Sequence, residues 1–310
     1  MELSIIIVSW NVEGHLKRCL RSIYAVPAQR AEIEMEVIVV DNASIDDTVA
    51  MLRREFAQVK LIANGKNKGF AAANNQGMRL AQGIYVMLLN PDTEIVGDAL
   101  PKMMDYLAQH PEVGLVGPQL LNSDGTVQPS RRRFPTLASA FVESTILQRY
   151  LSRSSILTDF YVKDRPDDIT QEVDWLVGAC LLVPNEVIKQ VGMLDERFFM
   201  YLEEVDWCYR IKRAGWKIVY LPTAQVIHHY GQSADQDIPH RHIYFNDSKC
   251  KFYEKYYGLA VGRILRWFIL ATFLFQMVEE GAKLALGHKR SLRRHRLGVL
   301  WQVVRSGLRG

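Results

Sequence analysis

Polar segments at Asn11, Asp41 and Asn90 each follow an apolar, β-rich run, and a fourth from Asn67 opens a helix; together they could meet a phosphorylated ligand. Asp41 lies in Val39-Val40-Asp41-Asn42-Ala43-Ser44, where a carboxylate at a strand end can accept the N3–H of a uracil or thymine ring. Asn11 stands after the first apolar run. Asp and Asn are also ordinary turn formers, so this segment alone reads equally well as a turn. Asn67-Lys68-Gly69-Phe70 through Asn75 opens a helix with a glycine and small residues, which lets a ligand approach backbone N–H groups at a positive helix end. Its spacing is neither a P-loop nor a dinucleotide fingerprint, and a tight turn into a packed helix fits it as well. Asn90-Pro91-Asp92 follows the run Tyr85 to Leu89, which delivers Asp92 on a rigid turn. A hard cation on a diphosphate needs only one or two protein oxygens, because phosphate and water fill its other positions.

Two later segments add acid, base and imidazole chemistry. Glu203, Glu204 and Asp206 crowd a helix start, where the dipole favours anions. Glu203 and Asp206 are i, i+3 neighbours, and Asp206 with Arg210 forms an i, i+4 pair suited to a structural role. Glu204, flanked by Met200, Tyr201, Val205 and Trp207, points elsewhere. Desolvation there would raise its pKa towards a general base, although a solvated helix start fits equally. His228 and His229 follow the short β-like run 224–227, and a neutral imidazole is a fair ligand for Mn²⁺. Spacing does not choose between them, and either could instead cap a strand or touch a phosphate.

The elements that must position these groups follow from periodicity. Strands are expected over 3–9, 36–40, 60–62, 85–89 and 114–116, alternating with helices over 15–24, 47–56, 71–81 and 98–109. This alternation predicts a parallel sheet with crossover helices, whose ligands bind beyond the carboxyl ends of the strands, where the polar segments fall. Residues 124–172 read as a long irregular region over the site. A strand pair over 175–183, a helix over 186–191, a helix over 203–214 and a strand over 217–221 complete the body.

Composition sets the class. With 310 residues, 48% hydrophobic and 23% charged, the chain is globular, and its four scattered cysteines suggest neither a disulfide framework nor a zinc site. A reducing compartment is expected, and the N-terminus reads as a first strand rather than a secretory leader. Residues 281–310 carry eight Lys or Arg and no acid, so the net +4 leaves the first 280 residues at −4. That basic end follows an apolar stretch, which predicts attachment to anionic lipid rather than nucleic-acid reading. The uninterrupted apolar core, 267–278, spans about 18 Å of helix, against about 30 Å of hydrocarbon. An in-plane amphipathic helix with a polybasic flank is therefore expected. A helix covering the domain, or a dimer surface, is the alternative.

Together these segments resemble the family 2 glycosyltransferases, specifically the bacterial rhamnosyltransferase-like branch. The motifs are Ile7-Val8-Ser9-Trp10-Asn11, the Asp41 and Asn67 segments, Leu89-Asn90-Pro91-Asp92, Gly178-Ala179-Cys180, the acidic run from Asp195 to Arg210, and His228 through Ser233. The resemblance implies a GT-A fold: α/β, with a doubly wound, mostly parallel central sheet, flanking helices and a C-terminal amphipathic helical extension. It divides the chain into a glycosyltransferase domain at 1–257 (nucleotide-binding half 1–120, acceptor-binding half 121–257) and a membrane-associating tail at 258–310. It implies donor contacts from Ser9, Asn11, Asp41, Asn42, Asn67, Gly69, Asn75, Asn90 and Asp92. Trp175, Gly178, Ala179 and Glu203 would face the acceptor, and Glu204 would be the catalytic base. Asp92 and His228 would hold Mg²⁺ or Mn²⁺. Asn90 replaces the first carboxylate of the family's DxD motif, and Glu204 replaces an aspartate.

The implied reaction is inverting transfer of rhamnose or a related hexose from a dTDP- or UDP-sugar to a lipid-linked saccharide acceptor, in O-antigen-like polysaccharide biosynthesis. Its place would be peripheral, on the cytoplasmic face of the cell membrane, without nucleic acid and with a homodimer as an open possibility. The rival expectation is a non-catalytic sugar-nucleotide-binding or membrane-associated scaffold protein.

Overall fold

A computed structural model describes residues 1–25, 33–229 and 236–310. Strands β1 (Leu3–Ser9), β2 (Met35–Asp41), β3 (Lys60–Ala63) and β4 (Tyr85–Leu89) alternate with helices α1 (Glu13–Tyr24), α2 (Thr48–Glu55) and α3 (Phe70–Met78). There follow β5 (Thr93–Val96), α4 (Ala99–Gln109), β6 (Val113–Leu121), β7 (Val127–Gln128), β8 (Arg131–Arg132), α5 (Leu137–Val142) and α6 (Ser155–Phe160). Next come β9 (Gln171–Glu172), β10 (Trp175–Leu176), β11 (Cys180–Pro184), α7 (Asn185–Val191), α8 (Glu203–Arg213) and β12 (Lys217–His228). Three helices close the chain: α9 (Ile238–Tyr257), α10 (Leu259–Ala285) and α11 (Arg290–Ser306).

The main sheet runs β3-β2-β1-β4-β11-β6-β12-β5, with β7 on β6 and β9 on β12. Strands β1 to β4 pair in parallel, as do β6 and β12, while β11 and β5 run antiparallel to their neighbours. All seven residues of β1 are buried, as a parallel strand covered on both faces requires. On one face Leu16, Cys19, Leu20 and Ile23 of α1 pack with Ile5, Ile7, Val37 and Val39 of the sheet.

Three local expectations are corrected. The 175–183 region is not a strand pair: β10 forms a separate ribbon with β8, while β11 enters the main sheet between β4 and β6. Runs this short carry no periodicity that tells a hairpin from two strands with different partners. The irregular stretch 124–172 contains β7, β8, α5, α6 and β9, each six residues or fewer. The strands expected over 217–221 and 224–227 are one, β12, whose register shifts between Leu221 and Gln225. Pro222 lies there, and a proline inside a strand is accommodated at such an irregularity.

The chain divides into two compact units. The first comprises Met1–Phe134, Asp159–Glu196 and Glu203–Ser233; the second comprises Pro135–Thr158, Arg197–Leu202 and Ala234–Gly310. The boundary expected at 257 thus falls inside the second unit. There α10 packs on α9, α11 and α5. Ser248, Tyr253 and Tyr257 of α9 donate to the carbonyls of Met200, Thr136 and Pro135 at 2.7–2.9 Å. Two ion pairs fasten α10: Arg266 to Asp247 at 3.1 Å, and Glu280 to Arg293 at 2.7 Å.

Candidate active site

The carboxyl ends of β1, β2 and β4 lie side by side in the first unit. Ser9 is in register with Asp41, and Ile7 with Leu89, so Asn90 leaves the sheet beside the end of β1, with Asp41 on that strand's other side. The chain then turns through positive φ at Asn11 (54°) and Ala43 (67°). Ser44 N–H donates to Asp41 Oδ2 at 3.1 Å, and Asn11 Oδ1 accepts from Ile45 N–H at 2.8 Å. Ser9 Oγ, Asp41 Oδ1 and Asn90 Oδ1 are buried with no hydrogen-bond partner among the described residues. Buried polar atoms are seldom left so, and three on one strand-end rim suit a polar ligand.

Other residues expected at the donor are committed elsewhere. Asn42 donates to Asn67 Oδ1 at 2.7 Å and to the Gly69 carbonyl at 3.2 Å, while its Oδ1 accepts from Lys68 N–H and Asn64. Asn67 Oδ1 also accepts Gly69 N–H at 2.9 Å, and Gly69 takes φ +86°, which only glycine adopts cheaply. Asn42 and Asn67 therefore shape the turn into α3 through their side chains. Asn75 clasps the segment before α8, donating to Leu194 O and Glu196 Oε1 at 2.9 Å and accepting Leu194 N–H at 3.1 Å. Its amide is consumed by this cross-link.

Asp92 and His228 meet because β5 pairs antiparallel with the end of β12, setting His228 opposite Thr93. His229 N–H donates to the Asp92 carbonyl at 2.9 Å, and His228 Nε2 lies 3.4 Å from Asp92 Oδ1. Both side chains are buried. Gln128 governs the ring. Its amide nitrogen donates to Asn122 Oδ1 at 2.9 Å and to the His228 carbonyl at 3.3 Å, which turns its Oε1 to His228 Nδ1 at 2.7 Å. Nδ1 thereby donates to Gln128 and Nε2 is the nitrogen turned towards Asp92; in the neutral tautomer this bond selects, Nε2 carries the lone pair. Two acceptors facing each other suit a cation between them. No cluster of three or more metal-ligating side chains occurs among the described residues, so a cation here would draw its other ligands from phosphate and water.

The two histidines face different acids. His229 Nε2 is 2.7 Å from Glu94 and its Nδ1 2.7 Å from Ser123 Oγ, with the ring against His15. Tyr230 to Ser233, the rest of that motif, lie outside the described residues. Gln128 escaped sequence reading because a two-residue strand inside an irregular stretch has no periodic signature.

The acidic helix start separates its carboxylates by environment. Asp206 is fully buried and pairs with Arg210 at 2.9 Å, while Arg210 also holds the carbonyls of Val191 and Met193. Burial first, then the neighbouring charge of Glu204, pushes the Glu203 carboxyl well above the usual carboxylate range, against the pull of a backbone hydrogen bond. Glu204 is half-buried, with Oε2 sealed from solvent, and its side chain packs against Gly178. Tyr201 and Leu202, just before α8, both take positive φ (70° and 63°), a strained approach costing about 1 kcal/mol or more per residue.

Two residues expected at the acceptor are placed in the interior. Trp175 is 8% exposed and its indole N–H donates to the Arg133 carbonyl at 2.9 Å. Ala179 is fully buried, and its carbonyl accepts Asn90 N–H at 2.9 Å, so it fixes the Asn90 turn through its backbone.

A mostly parallel α/β sheet with polar residues gathered at its carboxyl rim is the architecture of a GT-A glycosyltransferase. The chain belongs to glycosyl transferase family 2, whose model matches residues 4–170. It is 31% identical over 252 residues to the N-acetylglucosaminyl-diphospho-decaprenol L-rhamnosyltransferase of Mycobacterium tuberculosis, covering 78% of this chain and 80% of that one. It is 27% identical to rhamnosyltransferase WbbL of Escherichia coli, covering 73% of this chain and 82% of that one. The mannosyltransferase PcManGT of Pyrobaculum calidifontis, solved with GDP-Man and Mn²⁺, superposes with a TM-score of 0.57 at 17% identity, covering 99% of this chain and 87% of that one. That likeness supports the fold.

Proposed function

We propose that this glycosyltransferase moves rhamnose or a related hexose from a dTDP- or UDP-sugar to a lipid-linked saccharide in bacterial surface polysaccharide synthesis, with inversion at the anomeric carbon. The observation that carries the reading is one rim holding three unsatisfied polar atoms at Ser9, Asp41 and Asn90 beside the facing acceptors of Asp92 and His228. The names of the mycobacterial and E. coli relatives support the sugar and the lipid-linked acceptor.

Asp41 accepts the pyrimidine N3–H, and Ser9 and Asn90 hold polar groups of the donor. Asp92 and His228 hold a Mg²⁺ or Mn²⁺ ion, a reading supported by the Mn²⁺ in the mannosyltransferase. When bound, such an ion offsets the charge that grows on the departing diphosphate. Glu204 takes the proton from the acceptor hydroxyl as that oxygen attacks in line, and burial disfavours a second charge beside it at Glu203. Gly178 leaves the space beside Glu204 into which the hydroxyl comes.

The second unit serves the membrane. Helix α10 is long and apolar enough to cross a bilayer, yet an in-plane position fits its surroundings better. Arg266 and Glu280 near its two ends are paired to α9 and α11, and both pairs would have to enter or break in hydrocarbon if the helix crossed alone. Between them Trp267, Leu274, Phe275 and Val278 are exposed, and α11 supplies exposed Arg290, Arg294 and Arg296. An apolar stripe with a basic flank suits the anionic inner face of the cell membrane.

The test uses purified protein, UDP- and dTDP-sugars and a polyprenyl-linked saccharide. Wild type should transfer sugar, EDTA should stop it and Mn²⁺ or Mg²⁺ restore it, while Glu204→Gln should bind donor but not turn over. Binding of every donor without nucleoside diphosphate release by wild type would favour a scaffold instead.

A further inference from the structure

The second unit contains a cavity of about 350 Å³ lined by Arg197, Phe198, Lys251, Glu254, Lys255 and Leu259. Three of these six side chains are cations and one is an acid. One wall is built rather than loose: Lys251 donates to the Arg197 carbonyl at 2.9 Å and pairs with Asp247 at 2.8 Å, tying that segment to α9. The Lys255 amine lies 6.0 Å from the centre of the Phe198 ring and 5.3 Å from that of Tyr256. Phe198 is 1% exposed and gives the cavity an apolar floor. The acid, Glu254, packs its stem over Gly262, where any larger residue would collide with it.

The rim supplies the second half of the argument. Leu259 is the first residue of α10 and is 62% exposed. Arg263 and Trp267 follow at four-residue spacing and are exposed too, so the three share one line along the helix. A basic cavity thus lies at the start of an exposed line in which apolar Leu259 and Trp267 flank the cation Arg263, on the helix read above as membrane-facing.

We propose that this cavity binds the diphosphate of a polyprenyl-linked acceptor, its lipid chain leaving over Leu259 along the outer face of α10. The assignment rests on the lipid-linked-acceptor reading and adds to it the residues that grip the acceptor. Guanidinium and ammonium groups form charge-assisted hydrogen bonds to phosphate oxygens, and Arg197 can do so through two parallel N–H groups. Phe198 and Leu259 receive the first apolar carbons of the chain.

The probe is farnesyl diphosphate, titrated calorimetrically into the full chain in EDTA so that no metal at Asp92 draws the diphosphate. Wild type should bind it, more tightly than farnesol or inorganic diphosphate. Arg197→Ala and Lys255→Ala should each weaken binding about tenfold, and Lys255→Arg should retain it. Circular dichroism and melting temperature check that each variant folds. Unchanged affinity in the Arg197→Ala/Lys255→Ala double variant would overturn the assignment. So would inorganic diphosphate binding as tightly as farnesyl diphosphate, or phosphatidylglycerol vesicles displacing the probe as effectively as unlabelled farnesyl diphosphate, which would mark a free-phosphate or phospholipid headgroup site. Stabilisation by UDP or dTDP with Mn²⁺ is measured alongside. A chain that binds nucleotide but not farnesyl diphosphate fails this assignment alone, whereas one that binds neither fails the reading beneath it as well.

Discussion

Gly178 faces Glu204 so directly that a Cβ built on the glycine would stand 3.4 Å from both Cβ and Cγ of the glutamate and 3.7 Å from its carboxyl carbon. That is tolerable contact, so Gly178→Ala should fold with stability within about 1 kcal/mol of wild type. The added methyl would occupy the space beside the carboxylate. Steady-state kinetics should show a raised acceptor KM with an unchanged donor KM, and equal rises in both would detach Gly178 from the acceptor side.

Glu203 makes stability depend on pH in a defined direction. Its pKa rises on folding, so the folded state holds a proton that the unfolded state releases near its ordinary value of 4.5. Below that value its contribution is fully present; stability is lost as pH climbs from there through the raised folded-state pKa. Glu203→Gln cannot ionise. Melting temperatures across pH should therefore show the variant gaining on wild type above pH 4.5. A constant difference from pH 4 to 8 would mean that Glu203 is ionised in the folded protein.

Gln128 should matter for metal affinity by holding a ligand rather than being one. Its Oε1 holds His228 Nδ1 at 2.7 Å and so aims Nε2 at Asp92. Loss of such an orienting partner typically costs about 10- to 100-fold in affinity. Gln128→Leu should show that loss in a Mn²⁺ titration with UDP followed by electron paramagnetic resonance, while UDP binding without metal is retained. Unaltered Mn²⁺ affinity would remove Gln128 from this role.

Trp267, 73% exposed on α10, should anchor the protein to lipid. Trp267→Asp should reduce sedimentation with phosphatidylglycerol vesicles and leave the melting temperature near that of wild type. Residual binding should fall with added salt, since it would rest on the basic flank of α11. Wild-type sedimentation by the variant would point to a different contact face.

The sheet was readable because its strands announce themselves: Leu3 to Ser9 and Tyr85 to Leu89 are mainly apolar and lie in the fold as their pattern predicts. The rim was readable for the same reason, since a polar residue directly after such a run must emerge at the strand's carboxyl end. What escaped were pairings between distant segments. Strand β5 has four residues, too few for a periodic signal, yet it alone sets Asp92 against His228. The resemblance set Asn42, Asn67 and Asn75 at the donor; only their partners show that Asn42 and Asn67 also shape the turn into α3 and that Asn75 holds Leu194 and Glu196. Glu203 and Glu204 are adjacent and alike in sequence; burial separates them.

The Glu280–Arg293 pair bears on how the protein can be shortened. Arg293 meets both carboxylate oxygens of Glu280, at 2.9 and 2.7 Å, and the two residues belong to different helices. Trimming the chain after α10 would strand an acid on that helix and uncover the apolar side that α11 had been hiding, inviting insoluble protein. A cut before Leu259 removes both helices together but bares the side of α9 on which α10 packs and leaves Asp247 without Arg266, so the three closing helices are best kept as one piece.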